Sequence, residues 1–320
     1  MRGLRSFGQG AVFLSLFCTA TASGQSGPEL LDRMTSNLGV RPREHSIRVD
    51  VNLVLVPVTV TDRRGRVVSG LDKDNFTVFE DKAEQPIVSF NNEDAPISVG
   101  LLVDLSGSMR DKMSGVRLAL RAFLRDLAPE DETFLMTFAD RPEMRVNFTS
   151  EEETIENALL FANAGGSTAL IDAVYLALGN MRSAHNARKA VLIISDGGDN
   201  HSRYSEKELR RLAQETDVQI HAIGIHDNPR AREEMEGPRL LEDLAQTTGG
   251  LHFIVRDVNE MDDIAAKIGL ALHDRYVLGY RTAPEPSPGK WRKIQVKVTP
   301  PKGFPPLQVY ARAGYYSPSR

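Results

Sequence analysis

Residues 100–115, "GLLVDLSGSMRDKMSG", decide the fold. An unbroken apolar run enters Asp104, two serines and Gly107, and a helical pattern begins at once. Apolar residues that do not alternate mark a strand covered on both faces. Beyond the turn, Val116, Leu120, Phe123, Leu124 and Leu127 share one face of a 3.6-residue helix. A buried strand leaving through a polar turn into an amphipathic helix is the unit of an open α/β sheet. Gly and Ser serve such a turn for backbone reasons alone. Whether Asp104, Ser106 and Ser108 are more than a turn therefore depends on partners elsewhere in the chain.

The same alternation continues outward from this stretch. "TFLMTFAD", "KAVLIISDG", "VQIHAIGI" and "LHFIVR" read as further strands, with "MRVNFT" a short one. "EEETIENALLFA", "ALIDAVYLALGNMRSA", "SEKELRRLAQET", "PRLLEDLAQTTGG" and "NEMDDIAAKIGLALHDR" read as helices. The pattern predicts a doubly wound, mostly parallel α/β domain over residues 96–274. On either side the character is different. Residues 46–95 alternate with period two, Pro57 marking an edge or bulge, and form three strands without a helix. Residues 275–320 ("RYVLGYRT", "KWRKIQVKVTP", "LQVYARAGYY") are strands again. Each flank alone buries too little apolar surface, so the two halves are expected to pack as one small β-sandwich around the inserted α/β domain, two separate β appendages packed on that domain being the alternative.

Ligands of an open α/β sheet sit at the carboxyl ends of its strands. Two more segments end there with oxygen-bearing side chains: "AGGSTAL", carrying Thr168, and "IISDGGDN", carrying Asp196. Asp104, Ser106 and Ser108, at i, i+2 and i+4 of a tight turn, can surround one point. Two carboxylates and three hydroxyls are hard ligands, suited to an octahedral cation such as Mg²⁺ (or Mn²⁺ or Ca²⁺) at about 2.1 Å. The bland alternative makes each oxygen a helix cap, since every segment precedes a helix. Catalytic readings lack their residues. Ser106 has no G-x-S-x-G elbow, the histidines have no HExxH spacing, and no G-x-x-x-x-G-K loop is present.

"DLSGS", Thr168 and "SDG" together resemble the metal-ion-dependent adhesion site of von Willebrand factor type A domains, in the same order along the chain. The resemblance spans residues 97–275 and implies a Rossmann-like fold. It makes Ser106, Ser108 and Thr168 direct ligands of the ion, with Asp104 and Asp196 as paired acids acting largely through water. Ser195 stands where many members have threonine, and the hydroxyl is kept. The flanks ("DVNLVLVPVTVTDRRGRVVSGLDKDNFTVFEDK", "YVLGY", "RKIQVKV", "ARAGYY") are similar to secreted bacterial proteins related to von Willebrand factor A. "DLSGSMRDK" also resembles integrin β-subunit segments that continue with two acids for a second, calcium site. Here Asp111 is followed by Lys112, which argues against that second site.

The remaining features set the class of protein. A net charge of -4 over 320 residues, with no concentrated basic face, excludes a dedicated nucleic-acid binder. Arg2 and Arg5, the apolar run from Ala11 to Ala22 and the triplet Ala20-Thr21-Ala22 read as an export signal over residues 1–22, followed by a linker over 23–45. The location expected is periplasmic or extracellular, with a lipid anchor on Cys18 the minor alternative. No later run is long and apolar enough to span a membrane. The function expected is non-enzymatic: an exported adhesion-type module that docks an Asp or Glu carboxylate of a partner protein through the cation. A structural module with a vestigial metal site, or a metal-dependent hydrolase, would be the alternatives.

Overall fold

The alternating segment ahead of residue 96 folds as β1 (Leu53–Thr61), β2 (Phe76–Glu80), β3 (Ala83–Gln85) and β4 (Ile87–Glu93). The computed structural model describes residues 53–225, 232–282 and 289–317. The expected signal, Cys18 and the linker lie outside them. Val51–Arg320 forms one compact unit.

The central segment supplies β5 (Ile97–Asp104), β6 (Glu132–Phe138), β7 (Pro142–Thr149), β8 (Arg188–Ser195), β9 (Gln219–Ile225) and β10 (His252–Val255). They form one sheet in the order β10-β9-β8-β5-β6-β7. All pairings are parallel except β6 with β7. The crossover helices are α1 (Met113–Arg125), α2 (Glu152–Leu160), α3 (Leu170–Asn180), α4 (Glu206–Glu215), α5 (Arg232–Thr248) and α6 (Met261–His273). One face of the sheet packs on α1, α2 and α6 through Val116, Leu120, Phe123, Ile155 and Ile268. The other packs on α3, α4 and α5 through Leu170, Val174, Leu209 and Leu241. Every residue of β5 is buried, as a strand covered on both faces requires. The doubly wound α/β fold read from the sequence is the fold observed.

Strand order reverses at β5. The chain steps to β6 on one side, then returns past β7 to place β8 on the other. The carboxyl ends of β5 and β8 thus flank the topological switch point, where open sheets hold ligands.

After α6 the chain runs through β11 (Arg275–Arg281), β12 (Trp291–Val298), β13 (Gln308–Ala311) and β14 (Gly314–Tyr316). These interleave with the first four strands in two antiparallel sheets, β13-β1-β11-β4 and β14-β12-β2-β3. Their shared core holds Val56, Val58, Val60, Phe76 and Val78 from one flank and Leu278, Tyr280 and Ile294 from the other. Pro57 pairs with Val277, while β13 reaches β1 only from Val58 onward, so the missing N–H falls on a locally open side.

Three local readings change. A short strand, β3, lies between the two strands expected in residues 76–94. "LQVYARAGYY" is two strands, not one, because the chain crosses between sheets at Arg312-Ala313. There Arg312 Nε donates to Gly314 O (2.8 Å), and Ala313 N donates to Thr247 O (3.0 Å). Finally, α5 starts at Arg232, before the Pro238 at which the sequence placed its first turn.

Candidate functional site

The turn "DLSGS" is built on the last residue of β5. Asp104 is fully buried, and its Oδ1 accepts the Ser106 N–H (2.8 Å), which curls the chain back over the strand end. Its Oδ2 accepts from Ser195 Oγ at the end of β8 (2.6 Å), and Ser195 Oγ in turn accepts the Gly197 N–H (2.9 Å). Asp196 follows directly and is buried, at 4% exposure. Ser106 Oγ and Ser108 Oγ lie within hydrogen-bond distance of each other, at 3.1 Å; Ser106 is buried, whereas Ser108 is exposed.

Backbone hydrogen bonds stitch the third segment to these two. Gly107 N donates to Gly166 O (3.1 Å) and Gly165 N to Leu105 O (2.7 Å), which holds the Thr168 loop against the turn after β5. Gly166 has a positive φ of 88°, and a Cβ there would also meet the Asp140 carboxylate, so the loop requires glycine. Asn200 N and His201 N donate to Thr168 O (3.0 and 3.1 Å), and Asn200 Oδ1 accepts the Thr168 N–H (2.9 Å). Thr168 and the loop beyond Asp196 are therefore one unit. The three predicted segments meet at the switch point, with Asp104, Ser106, Thr168 and Asp196 buried and Ser108 at the surface.

The capping alternative fails for the hydroxyls. Ser106 starts a 3₁₀ turn (Gly107–Lys112) but makes no side-chain cap bond. Ala169, not Thr168, caps α3. Asp196 is not a cap either; α4 is capped by Ser205, whose hydroxyl accepts the Glu208 N–H. These oxygens are not consumed by helix termini.

The electrostatics single out Asp104. Burial pushes its carboxyl up to about 7, and the nearby Asp196 charge adds to this, against hydrogen bonds from Ser106 and Ser195. At Asp104, burial and the neighbouring acid outweigh the hydrogen bonds that favour the charged form. Among the described residues no group of three or more His, Cys, Asp or Glu side chains could hold a metal ion. The donor set here is of another kind, two acids with hydroxyls, and its chemistry fits a hard divalent cation.

Asp172 and Asp199, beside the predicted segments, brace the loop. Asp172 Oδ1 accepts from Arg203 N and Tyr204 N (2.9 and 3.0 Å), and Asp199 Oδ1 accepts from Ile171 N and Ser202 Oγ (3.1 and 2.6 Å). Asn200 was missed, since an asparagine in a polar loop carries no signal of its partner. Lys112 was read only as a hindrance to a second site. In the structure it is buried (3% exposed), with Nζ 3.5 Å from Asp196 Oδ2.

Comparison with known proteins agrees with this architecture. Residues 99–198 match the family model of the von Willebrand factor type A domain. An uncharacterized protein of Borreliella burgdorferi is 20% identical over 216 residues, covering 57% of this chain and 63% of its own length. A UPF0353 protein of Mycolicibacterium paratuberculosis is 25% identical over 222 residues, covering 61% of this chain and 65% of its own. The chain thus spans less than two thirds of the length of either curated relative. Among solved structures, a von Willebrand factor type A protein of Catenulispora acidiphila shares the fold. It superimposes with a TM-score of 0.50 at 12% identity, over 83% of this chain and 75% of that one. The sheet, its switch-point turn and the family match agree: residues 99–198 match the von Willebrand factor type A domain, and the α/β region has the fold of that domain.

Proposed function

We propose that the domain is a protein-docking module that holds one divalent cation, Mg²⁺ or Mn²⁺, at the switch point and uses it to bind a carboxylate of a partner protein. The observation that carries this reading is the convergence of Asp104, Ser106, Ser108, Thr168 and Asp196 on one strand edge, with hydroxyls that no helix terminus uses and an acid whose proton affinity is raised. Ser106, Ser108 and Thr168 would hold the ion, and Asp104 and Asp196 would balance its charge. When bound, the ion supplies a Lewis-acid position for an incoming Asp or Glu. The export signal read at residues 1–22 places the encounter outside the cytoplasm.

Calorimetric titration of the purified chain with Mg²⁺ and Mn²⁺, alongside Asp104→Ala, tests the ion. Saturable binding lost in the variant is the expected result, and no binding by either form would sink the mechanism. Pulldown with and without chelator then tests whether partner capture depends on the ion. A second reading, docking through the β-sandwich, is favoured by Leu53, Leu55 and Val88, which are 43%, 52% and 49% exposed on its β1 and β4 strands. It predicts capture that chelator leaves unchanged.

A further inference from the structure

Within the 3₁₀ turn after β5, three consecutive charged residues part ways. Arg110 and Asp111 are exposed, whereas Lys112 is buried at 3% exposure. Its ammonium lies 3.5 Å from Asp196 Oδ2, on a carboxylate side chain that is 6% exposed. Lysine is almost never buried this far without a charge partner, and Asp196 is one. The pairing joins α1 to the end of β8, across the mouth of the switch point.

We propose that Lys112 is the resident counter-cation of this site. Its ammonium neutralises Asp196 in the metal-free protein and competes with a divalent ion for that carboxylate. The inference rests on the metal-binding reading of Asp104, Ser106, Ser108, Thr168 and Asp196, and it adds a residue that tunes the ion's affinity. With both acids ionised, as a bound divalent ion requires, two carboxylates and one ammonium carry a single net negative charge, and the ion turns this into a single net positive charge. Without Lys112 the loaded site would be neutral. Ligand charge count is what tunes the affinity of such sites. Lys112 therefore weakens the hold on the ion, while the loaded site keeps a net attraction for an anionic side chain.

The test uses the full chain, Lys112→Met, which keeps the stem and removes the charge, and the double variant Lys112→Met/Asp196→Asn. Titration with MgCl₂ is expected to show Lys112→Met binding the ion at least ~10-fold more tightly than the unmodified chain. In EDTA, Lys112→Met is expected to melt at a lower temperature than the unmodified chain. Mg²⁺ should restore it, and so should adding Asp196→Asn. If Lys112→Met folds only with Mg²⁺ or with Asp196→Asn, the pairing is supported as well. Equal Mg²⁺ affinity in both chains, or equal melting in EDTA, overturns the proposal and leaves the metal site standing. Binding by Lys112→Met alone supports the competition and removes ion-dependent docking by the unmodified chain. If neither binds Mg²⁺, this proposal and the metal-site reading both fall.

Discussion

Two of the buried carboxylates, Glu80 in the sandwich and Asp104 at the edge of the α/β sheet, are treated in opposite ways. Glu80 is 3% exposed and accepts hydrogen bonds from Tyr280 OH (2.7 Å), Tyr315 OH (2.8 Å) and Thr282 Oγ1 (2.8 Å), with Arg292 as ion-pair partner. Burial alone would raise its pKa, but these bonds together hold it below the ordinary glutamate value. Asp104 has a backbone N–H, one serine hydroxyl and a second acid nearby, and its carboxyl is pushed up to about 7. A buried charge met from every side is structural, joining in this case a strand before the α/β domain to strands after it. A buried charge left short of positive partners is poised for a cation that arrives later.

Removing Glu80 should therefore cost the most. Glu80→Ala strips an acceptor from three hydroxyls and the carboxylate from Arg292, and a loss of ~3–5 kcal/mol is expected in denaturant unfolding. Because the Glu80 pKa is lowered, the carboxylate's contribution is present above the unfolded glutamate pKa and fades as pH falls through the folded one. A loss under about 1 kcal/mol would mean that the clasp is not what holds the two flanks together.

Another buried titratable group, His221 on β9, shows a further way to carry such a group, which is to keep it uncharged. Its Nδ1 accepts the Leu251 N–H (3.1 Å). Burial, with Arg275 adding to it, pushes its pKa down to about 3. The unfolded chain takes up this proton below about 6.5 and the folded one does not, so stability falls as pH drops through that window, by about 2 kcal/mol at pH 5. Unfolding followed from pH 7 to pH 5 in the unmodified chain and in His221→Gln should show a flatter acid limb in the variant. Parallel limbs would assign the acid loss elsewhere.

How much of this could be read from the sequence depends on whether the cause is local. β5, β8 and β9 announce themselves because strands covered on both faces cannot alternate, and residues 100–115 show the join of strand, turn and helix directly. The site segments were legible for a related reason: their spacing is set by one tight turn and two strand ends. Two features depend on packing and left no such trace. Whether Lys112 faces inward is decided by how the 3₁₀ turn sits on β8. The break at Arg312-Ala313 exists because the two sheets of the sandwich need a corner there. Neither changes the local composition.

The opposite end of the central sheet gives a milder contrast. His273, at the carboxyl end of α6, has Nε2 3.0 Å from the buried Asp131 and Nδ1 3.1 Å from Asp94. The Asp131 contact, with Asp94 assisting, raises the His273 pKa. Against the pull of burial, bonds from His273, Ile97 N and Ala128 N hold Asp131 low. The His273 contribution is full below about 6.5 and is lost as pH rises through its folded value. The Asp131 contribution is present above about 3.9 and is lost as pH falls through its own. His273→Ala is expected to remove ~1 kcal/mol at pH 6 and less at pH 9, by thermal melts at the two pH values. An equal loss at both would reduce His273 to a packing role.

The smallest stability effect is expected at Asp104, and it bears most directly on the contrast with Glu80. Asparagine keeps an oxygen for the Ser106 N–H and a partner for Ser195, and removes a charge that burial and Asp196 disfavour. Because the folded pKa of Asp104 is raised to about 7, its contribution is present below the unfolded aspartate value and is lost as pH climbs through 7. In chelator at pH 8, Asp104→Asn should therefore melt no lower than the unmodified chain, whereas Glu80→Gln melts well below it. Adding Mg²⁺ should raise the melting temperature of the unmodified chain by mass action and leave Asp104→Asn where it was. If Asp104→Asn instead loses as much as Glu80→Gln in chelator, both carboxylates are structural, and the edge of the sheet holds a second clasp rather than a cation site.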